Sequence, residues 1–273
     1  MPVQDDPFRT RDHVADFDGV VAEIVRESGV ARSELSMASD IAYGSGPSER
    51  LDLFFPQERG RDMPVHLFVH GGYWRVFSKQ DFSCVAQTIT RAGAIAVIVD
   101  YALMPAARLA VIVDQIRRAR NWLLEYITDY GGNPARLTVS GHSAGAHLST
   151  FLFQSGQAVP IQGAFLLGGL YDLKPLQSSF LQPEIGITDE EVTSFTPMDH
   201  QYDPRTRVEV LVGANETAPF HQQARDFVAM LEGQGLEVKR HALPGRNHMD
   251  SVRDLGRPQT EAARRLAALI ERS

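Results

Sequence analysis

VSGHSAGAHL, residues 139–148, stands where one kind of segment ends and another begins. RLTVS (136–140) reads as a strand, and AGAHLSTFLFQSG (144–156) reads as a helix. Ser143 sits at the junction, with Gly141 and Gly145 each one residue removed. A side chain held on a sharp strand-to-helix turn takes an unfavourable backbone conformation. Side chains at the two flanking positions would collide with neighbouring backbone, and glycine removes the collision. Gly-x-Ser-x-Gly between strand and helix therefore predicts an exposed serine nucleophile. The Ala144 amide, at the helix N-terminus, is a free donor pointing into the site. The structural alternative is a glycine-rich turn with a serine cap.

The surrounding chain supplies a frame for that turn. VHLFVH (65–70), AIAVIVDY (94–101), a strand within 161–173, RVEVLVGAN (207–215) and EVKRHALPG (237–245) read as buried strands. Helices are predicted over 79–93, 106–131, 144–156, 219–235 and roughly 251–271. Continuous apolar strands alternating with amphipathic helices predict an α/β fold with a mainly parallel sheet covered on both faces. DIAYGSGPSERLDLFF predicts an antiparallel hairpin at its start, preceded by a helix over 16–35. Residues 174–206 break the rhythm and predict a small cap with at most a short helix. The expected organisation is a single domain over 1–273, with an N-terminal helical extension over 1–37.

Composition narrows the function. The 273 residues can bury a sizeable core. The net charge of -7 gives no basic surplus, so neither nucleic acid nor an anionic membrane is an expected partner. A small-molecule substrate is expected, and a homodimer is left open. Cys84 is the single cysteine, which excludes an internal disulfide framework and a multi-cysteine metal site. No secretory pattern opens the chain, and no apolar run approaches the roughly 20 residues of a membrane span. A cytoplasmic, soluble protein is expected. The histidines are scattered without metal-ligand spacing, so no metal or other cofactor is expected.

A serine nucleophile needs oxyanion donors, a base and an acid. FVHGGYWRVFS (68–78) places Gly71 and Gly72 after the first buried strand, where their amides can approach a substrate without side-chain obstruction. His70 is read as support for that loop. His248, in LPGRNHMDSV between the last strand and last helix, is the candidate base. Glu216 is the only carboxylate closing VEVLVGANETAPF and is the candidate acid. Asp172, Asp199 and Asp203 compete with it, whereas Asp250 lies too near His248 in sequence.

HGGYW followed by GHSAGAHL resembles the kynurenine formamidases (arylformamidases) of the α/β-hydrolase superfamily. YGSGPSERLDLFFP, AVIVDYALMP, GGLYDL and VGANETAPFHQQARDF also look like family segments in order, so the resemblance spans roughly residues 40–250. It implies the α/β-hydrolase fold and a Ser–acid–His triad at Ser143, Glu216 and His248. Glu216 departs from the aspartate usual in the family. The resemblance further implies metal-free hydrolysis of N-formyl-L-kynurenine to kynurenine and formate; a carboxylesterase for small or aryl esters is the alternative. A non-catalytic protein of the same fold is disfavoured, because serine and histidine are both present. Tyr73 and Trp74 are candidates to wall an aromatic leaving group, with core packing as their alternative. Glu184, Asp189, Glu190 and Asp199 are candidates to meet a substrate ammonium.

Overall fold

Eight strands form one sheet in the computed structural model, which describes residues 6–273. They are β1 (Met37–Ala42), β2 (Arg50–Phe54), β3 (Met63–Val69), β4 (Ile95–Val99), β5 (Gly132–His142), β6 (Gly163–Leu167), β7 (Arg207–Gly213) and β8 (Val238–Leu243). The spatial order is β1-β2-β4-β3-β5-β6-β7-β8. β2 runs antiparallel to both β1 and β4, and every pairing from β4 through β8 is parallel. β4 and β6 are buried along their whole length, as strands covered on both faces must be.

Side chains alternate across the sheet, so each strand feeds two cores. On β3, Leu67 and Val69 join one core while Phe68 joins the other. The first face carries α4 (Leu109–Tyr126), α5 (Ala144–Thr150) and α8 (Ala218–Gly233), through Ile112, Ile116, Leu148 and Phe227. The second carries α2 (Phe17–Glu34), α3 (Ala86–Arg91), α9 (His248–Leu255) and α10 (Glu261–Glu271), through Ile24, Ile89, Val252 and Leu266. A four-residue helix, α1 (Thr10–His13), precedes α2.

Four expectations change, the first being that the helix expected over 144–156 ends at Thr150. The helix expected over 251–271 is two helices, α9 and α10, because Gly256 and Pro258 interrupt it. Proline cannot continue the ladder, and Thr260 caps the second helix by accepting from the Ala263 amide. The helix expected over 79–93 is shorter, a single 3₁₀ turn (Ser83–Val85) leading into α3. Residues 174–206 hold more helix than expected: α6 (Gln182–Ile185), α7 (Asp189–Phe195) and 3₁₀ turns at Lys174–Ser178 and Pro197–Asp199. Thr188 and Glu191 form a capping box that starts α7. Glu191 also pairs with Arg108 and accepts from the Leu109 amide at 3.0 Å, which ties this segment to α4.

The carboxyl ends of β3, β5, β6, β7 and β8 lie along one edge of the sheet. The loops after them carry Gly71, Ser143, Gly168, Glu216 and His248 respectively. The parallel register alone thus gathers residues far apart in sequence. No helix among the described residues is long and apolar enough to cross a membrane.

Candidate active site

Ser143 follows β5 with φ 55° and ψ −120°, a conformation that costs a non-glycine residue roughly 1–3 kcal/mol. The neighbours explain both glycines. A Cβ on Gly141 would lie 2.2 Å from the Gly145 carbonyl oxygen, and one on Gly145 would lie 2.0 Å from that of Val69. The Ser143 amide donates to the Leu167 carbonyl at 2.8 Å, which pins the turn to β6.

Strain is concentrated here. Four of the seven described non-glycine residues with positive φ are Ser143, Tyr73, Trp74 and Phe77, all in the turn after β5 or the loop after β3. In that loop Gly72 has φ 104°, and a Cβ there would meet the Val76 carbonyl oxygen at 2.4 Å. Gly71 abuts the serine: its Cβ would be 3.2 Å from the Ser143 Cβ. The amides of Gly71, Gly72 and Ala144 have no acceptor among the described residues. His70 holds the loop instead of facing the site. Its Nδ1 donates to the Gly71 carbonyl at 2.8 Å, and its ring stacks on Tyr101 at 4.3 Å. Burial pushes its pKa down to about 4, so it stays neutral.

His248 is the first residue of α9, and its N-cap Asn247 accepts from the Met249 and Asp250 amides. His248 Nδ1 lies 2.6 Å from Glu216 Oε2, and both side chains are buried. The other carboxylate oxygen, Oε1, accepts from the Gly213 amide at 2.7 Å. Gly168 makes room for the pair. It has φ 55°, and a Cβ there would stand 3.0 Å from the His248 ring. The competing acids lie elsewhere. Asp172 caps the Lys174 amide, Asp203 pairs with Arg205, and Asp250 pairs with Arg253. Asp199 lines a separate depression together with Asp172.

Two histidines beside the serine have positioning contacts that the sequence did not reveal. His142 Nε2 donates to the His248 carbonyl at 3.0 Å, and the two rings are 4.5 Å apart. Burial, then the neighbouring His248, hold the His142 pKa well below its ordinary value. His147 bridges three segments: its Nδ1 accepts from Trp74 Nε1 at 3.2 Å, and its Nε2 donates to the Phe195 carbonyl at 2.8 Å. Burial lowers its pKa to about 4, which keeps the neutral tautomer these bonds require.

Ser143 and His248 open into a cavity of about 450 Å³. Tyr73 lines it, but Trp74 does not: it is fully buried beneath the loop, where its indole must reach His147. Of the four acids considered for an ammonium, Glu184 alone lines the cavity. Asp189 is bound to Lys174 and Gln177, and neither Glu190 nor Asp199 reaches it. Phe17, Phe77, Phe82 and Met249 supply apolar wall.

One wall comes from the N-terminal segment, with Arg9, Thr10, Arg11 and Asp12 facing the cavity. Its path is stitched to three loops. Tyr73 donates to the Phe8 carbonyl, Thr217 to that of Pro7 at 2.6 Å, and the Phe180 amide to Asp6 at 2.5 Å. Phe8 packs edge-on against Phe220 at 6.0 Å. Sequence spacing carries no signal for contacts of this range.

Residues 66–250 match a family model described as the α/β-hydrolase fold. A kynurenine formamidase of Salmo salar is 30% identical over 243 residues, covering 84% of this chain and 79% of that protein. Esterase LipQ of Mycobacterium tuberculosis is 27% identical, covering 87% and 65% respectively. A solved structure from Silicibacter sp. tm1040 superposes with a TM-score of 0.84 over 99% of both chains, at 24% identity. The strand order, the strained serine turn and these similarities agree: the chain is a hydrolase of small acyl substrates belonging to the α/β-hydrolase family, among its kynurenine formamidase-like members.

Proposed function

We propose that the protein hydrolyses aryl formamides, N-formyl-L-kynurenine above all, through Ser143, His248 and Glu216. The observation that carries this reading is the 2.6 Å contact between Glu216 and His248 beside the strained serine turn. Glu216 holds the proton on Nδ1, which leaves Nε2 unprotonated and able to accept from the Ser143 hydroxyl. Ser143 Oγ attacks the formyl carbon, and the Gly71, Gly72 and Ala144 amides receive the oxyanion. His248 then protonates the leaving aryl amine. Water, deprotonated by the same imidazole, releases formate from the formyl-serine. Tyr73 lies against the aryl leaving group, while Trp74 acts through His147 to hold the loop.

Carboxylester hydrolysis is the second reading. The similarity to LipQ favours it, as does the apolar wall formed by Phe77, Phe82 and Met249. The two part on one comparison: kcat/KM for N-formyl-L-kynurenine against kcat/KM for p-nitrophenyl acetate. The formamide is expected to be the better substrate. Turnover of the ester alone would refute the first reading and leave the second.

A further inference from the structure

The three arginines around the cavity are not equivalent. Arg11 is committed to Asp18, whose two oxygens accept from its Nη1 at 2.8 and 2.7 Å. Arg75 holds Glu184 at 2.7 Å, joining the loop after β3 to α6. Arg9 has only a long ion pair with Asp12 and no such hydrogen bond. Its guanidinium lies over the Phe180 ring, 4.9 Å from the centroid, and it donates no hydrogen bond to any described residue. Its Nε is buried, and the carboxylate of Asp12 is 3.9 Å away. A buried donor without an acceptor is costly, and a guanidinium fork matches a carboxylate. Phe180 in turn meets Tyr73 edge-on at 5.5 Å, so Arg9 shares an aromatic wall with the residue after the two loop glycines.

The Arg75–Glu184 pair has a different character. Both side chains are about one-third exposed, and such a pair contributes little to folding. At the cavity it presents a carboxylate whose charge a second cation can share.

We propose that this end of the cavity is a receptor for an α-amino-acid headgroup, with Arg9 taking the carboxylate and Glu184 the ammonium. The proposal rests on the aryl-formamide reading and extends it to the part of the substrate remote from the reacting bond. Arg9 precedes the stretch 66–250 that matches the family model, so this half of the receptor lies outside the matched region. A simple aryl ester engages neither group.

Binding alone tests this. Full-length Ser143→Ala protein is titrated calorimetrically with L-kynurenine, with kynuramine, which lacks the carboxylate, and with ortho-aminoacetophenone, which lacks both charged groups. Each charged group is expected to add about tenfold or more in affinity, the range for charge-assisted hydrogen bonds. Adding Arg9→Gln removes the step between kynuramine and L-kynurenine and leaves kynuramine binding within about twofold. Arg9→Lys, which keeps the charge but loses the fork, retains part of that step. Adding Glu184→Gln removes the step between ortho-aminoacetophenone and kynuramine. Equal binding of the three probes, or none, overturns the proposal. So does an Arg9→Gln loss shared equally by all three, which is what a packing role would give. Turnover of N-formyl-L-kynurenine by the unsubstituted enzyme is scored separately. Discrimination without turnover sinks the formamide reading and keeps the receptor, and turnover without discrimination does the reverse.

Discussion

Replacing Glu216 by glutamine separates the charge of this side chain from its shape. The buried carboxylate has two bonds: Oε1 accepts from the Gly213 amide at 2.7 Å, and Oε2 faces His248 Nδ1 at 2.6 Å. Glutamine keeps an oxygen for Gly213 and turns an NH₂ donor toward Nδ1. The imidazole must then accept at Nδ1 and carry its proton on Nε2, the wrong tautomer for deprotonating Ser143. The imidazolium formed during attack also loses its counter-charge. Unit charges about 4 Å apart at an effective dielectric of about 20 interact by about 4 kcal/mol. That corresponds to about 10³ in rate. We therefore expect kcat to fall by about 10²–10⁴, with KM little changed because ground-state binding does not use this group. Initial rates on p-nitrophenyl acetate and on the formamide, with circular dichroism to confirm folding, give the answer. Asp172→Asn and Asp199→Asn should each cost less than about tenfold. A folded Glu216→Gln protein retaining a tenth of the wild-type kcat would refute the assignment. An essential Asp172 or Asp199 would redirect it.

Ser143→Ala should lower turnover by roughly 10³ or more while the protein still folds. Ser143→Gly should abolish turnover equally but unfold at higher denaturant than Ser143→Ala, by about 1 kcal/mol, because glycine tolerates φ 55°; equal midpoints would argue against strain. Trp74→Phe removes the indole donor and strands His147 Nδ1 in the core, and should cost about 1–3 kcal/mol in chemical denaturation. Burial raises the Asp100 pKa from its ordinary value to about 6. The folded state then binds this proton more tightly than the unfolded state, so the contribution of Asp100 to stability falls as pH rises from about 4 through about 6. The stability of wild type relative to Asp100→Asn should drop by on the order of 2 kcal/mol across that window in paired urea titrations, and a flat difference would contradict the shift.

Features that depend on local chain chemistry were legible in the sequence. Continuous apolar runs and one turn-bounded hairpin placed all eight strands, and the two glycines around Ser143 are required by backbone oxygens about 2 Å from where their Cβ atoms would stand. Glu216 could be singled out as the lone carboxylate ending β7. Two local signals were present but outweighed by helical periodicity or loop composition: Gly256 with Pro258, which splits the last helix, and Thr188 with Glu191, which starts α7. Other features have no local signature. Tyr73 and Trp74 are adjacent and share a left-handed backbone, yet one faces the cavity and the other the core. Which does which depends on where His147 lies. The cavity wall from Arg9 to Asp12 depends on bonds to Tyr73, Phe180 and Thr217, and no window of sequence contains both ends of such contacts.

The stitching of the N-terminal segment bears on how the enzyme is made. Pro7 is tied to Thr217, 210 residues later in the chain. At about 5–20 residues per second, a ribosome needs roughly 10–40 s to cover that interval. During it, Phe8 has no Phe220 ring to pack against, whereas α2 can already dock on Ser83 and Cys84. The same delay has a protective side. His142 is synthesised 106 residues before the His248 backbone that it braces, so the neighbouring Ser143 emerges long before the proposed base. On the proposed triad, a half-translated chain carries Ser143 without His248, and hydrolytic competence arrives late, close to the moment the mouth of the cavity is walled.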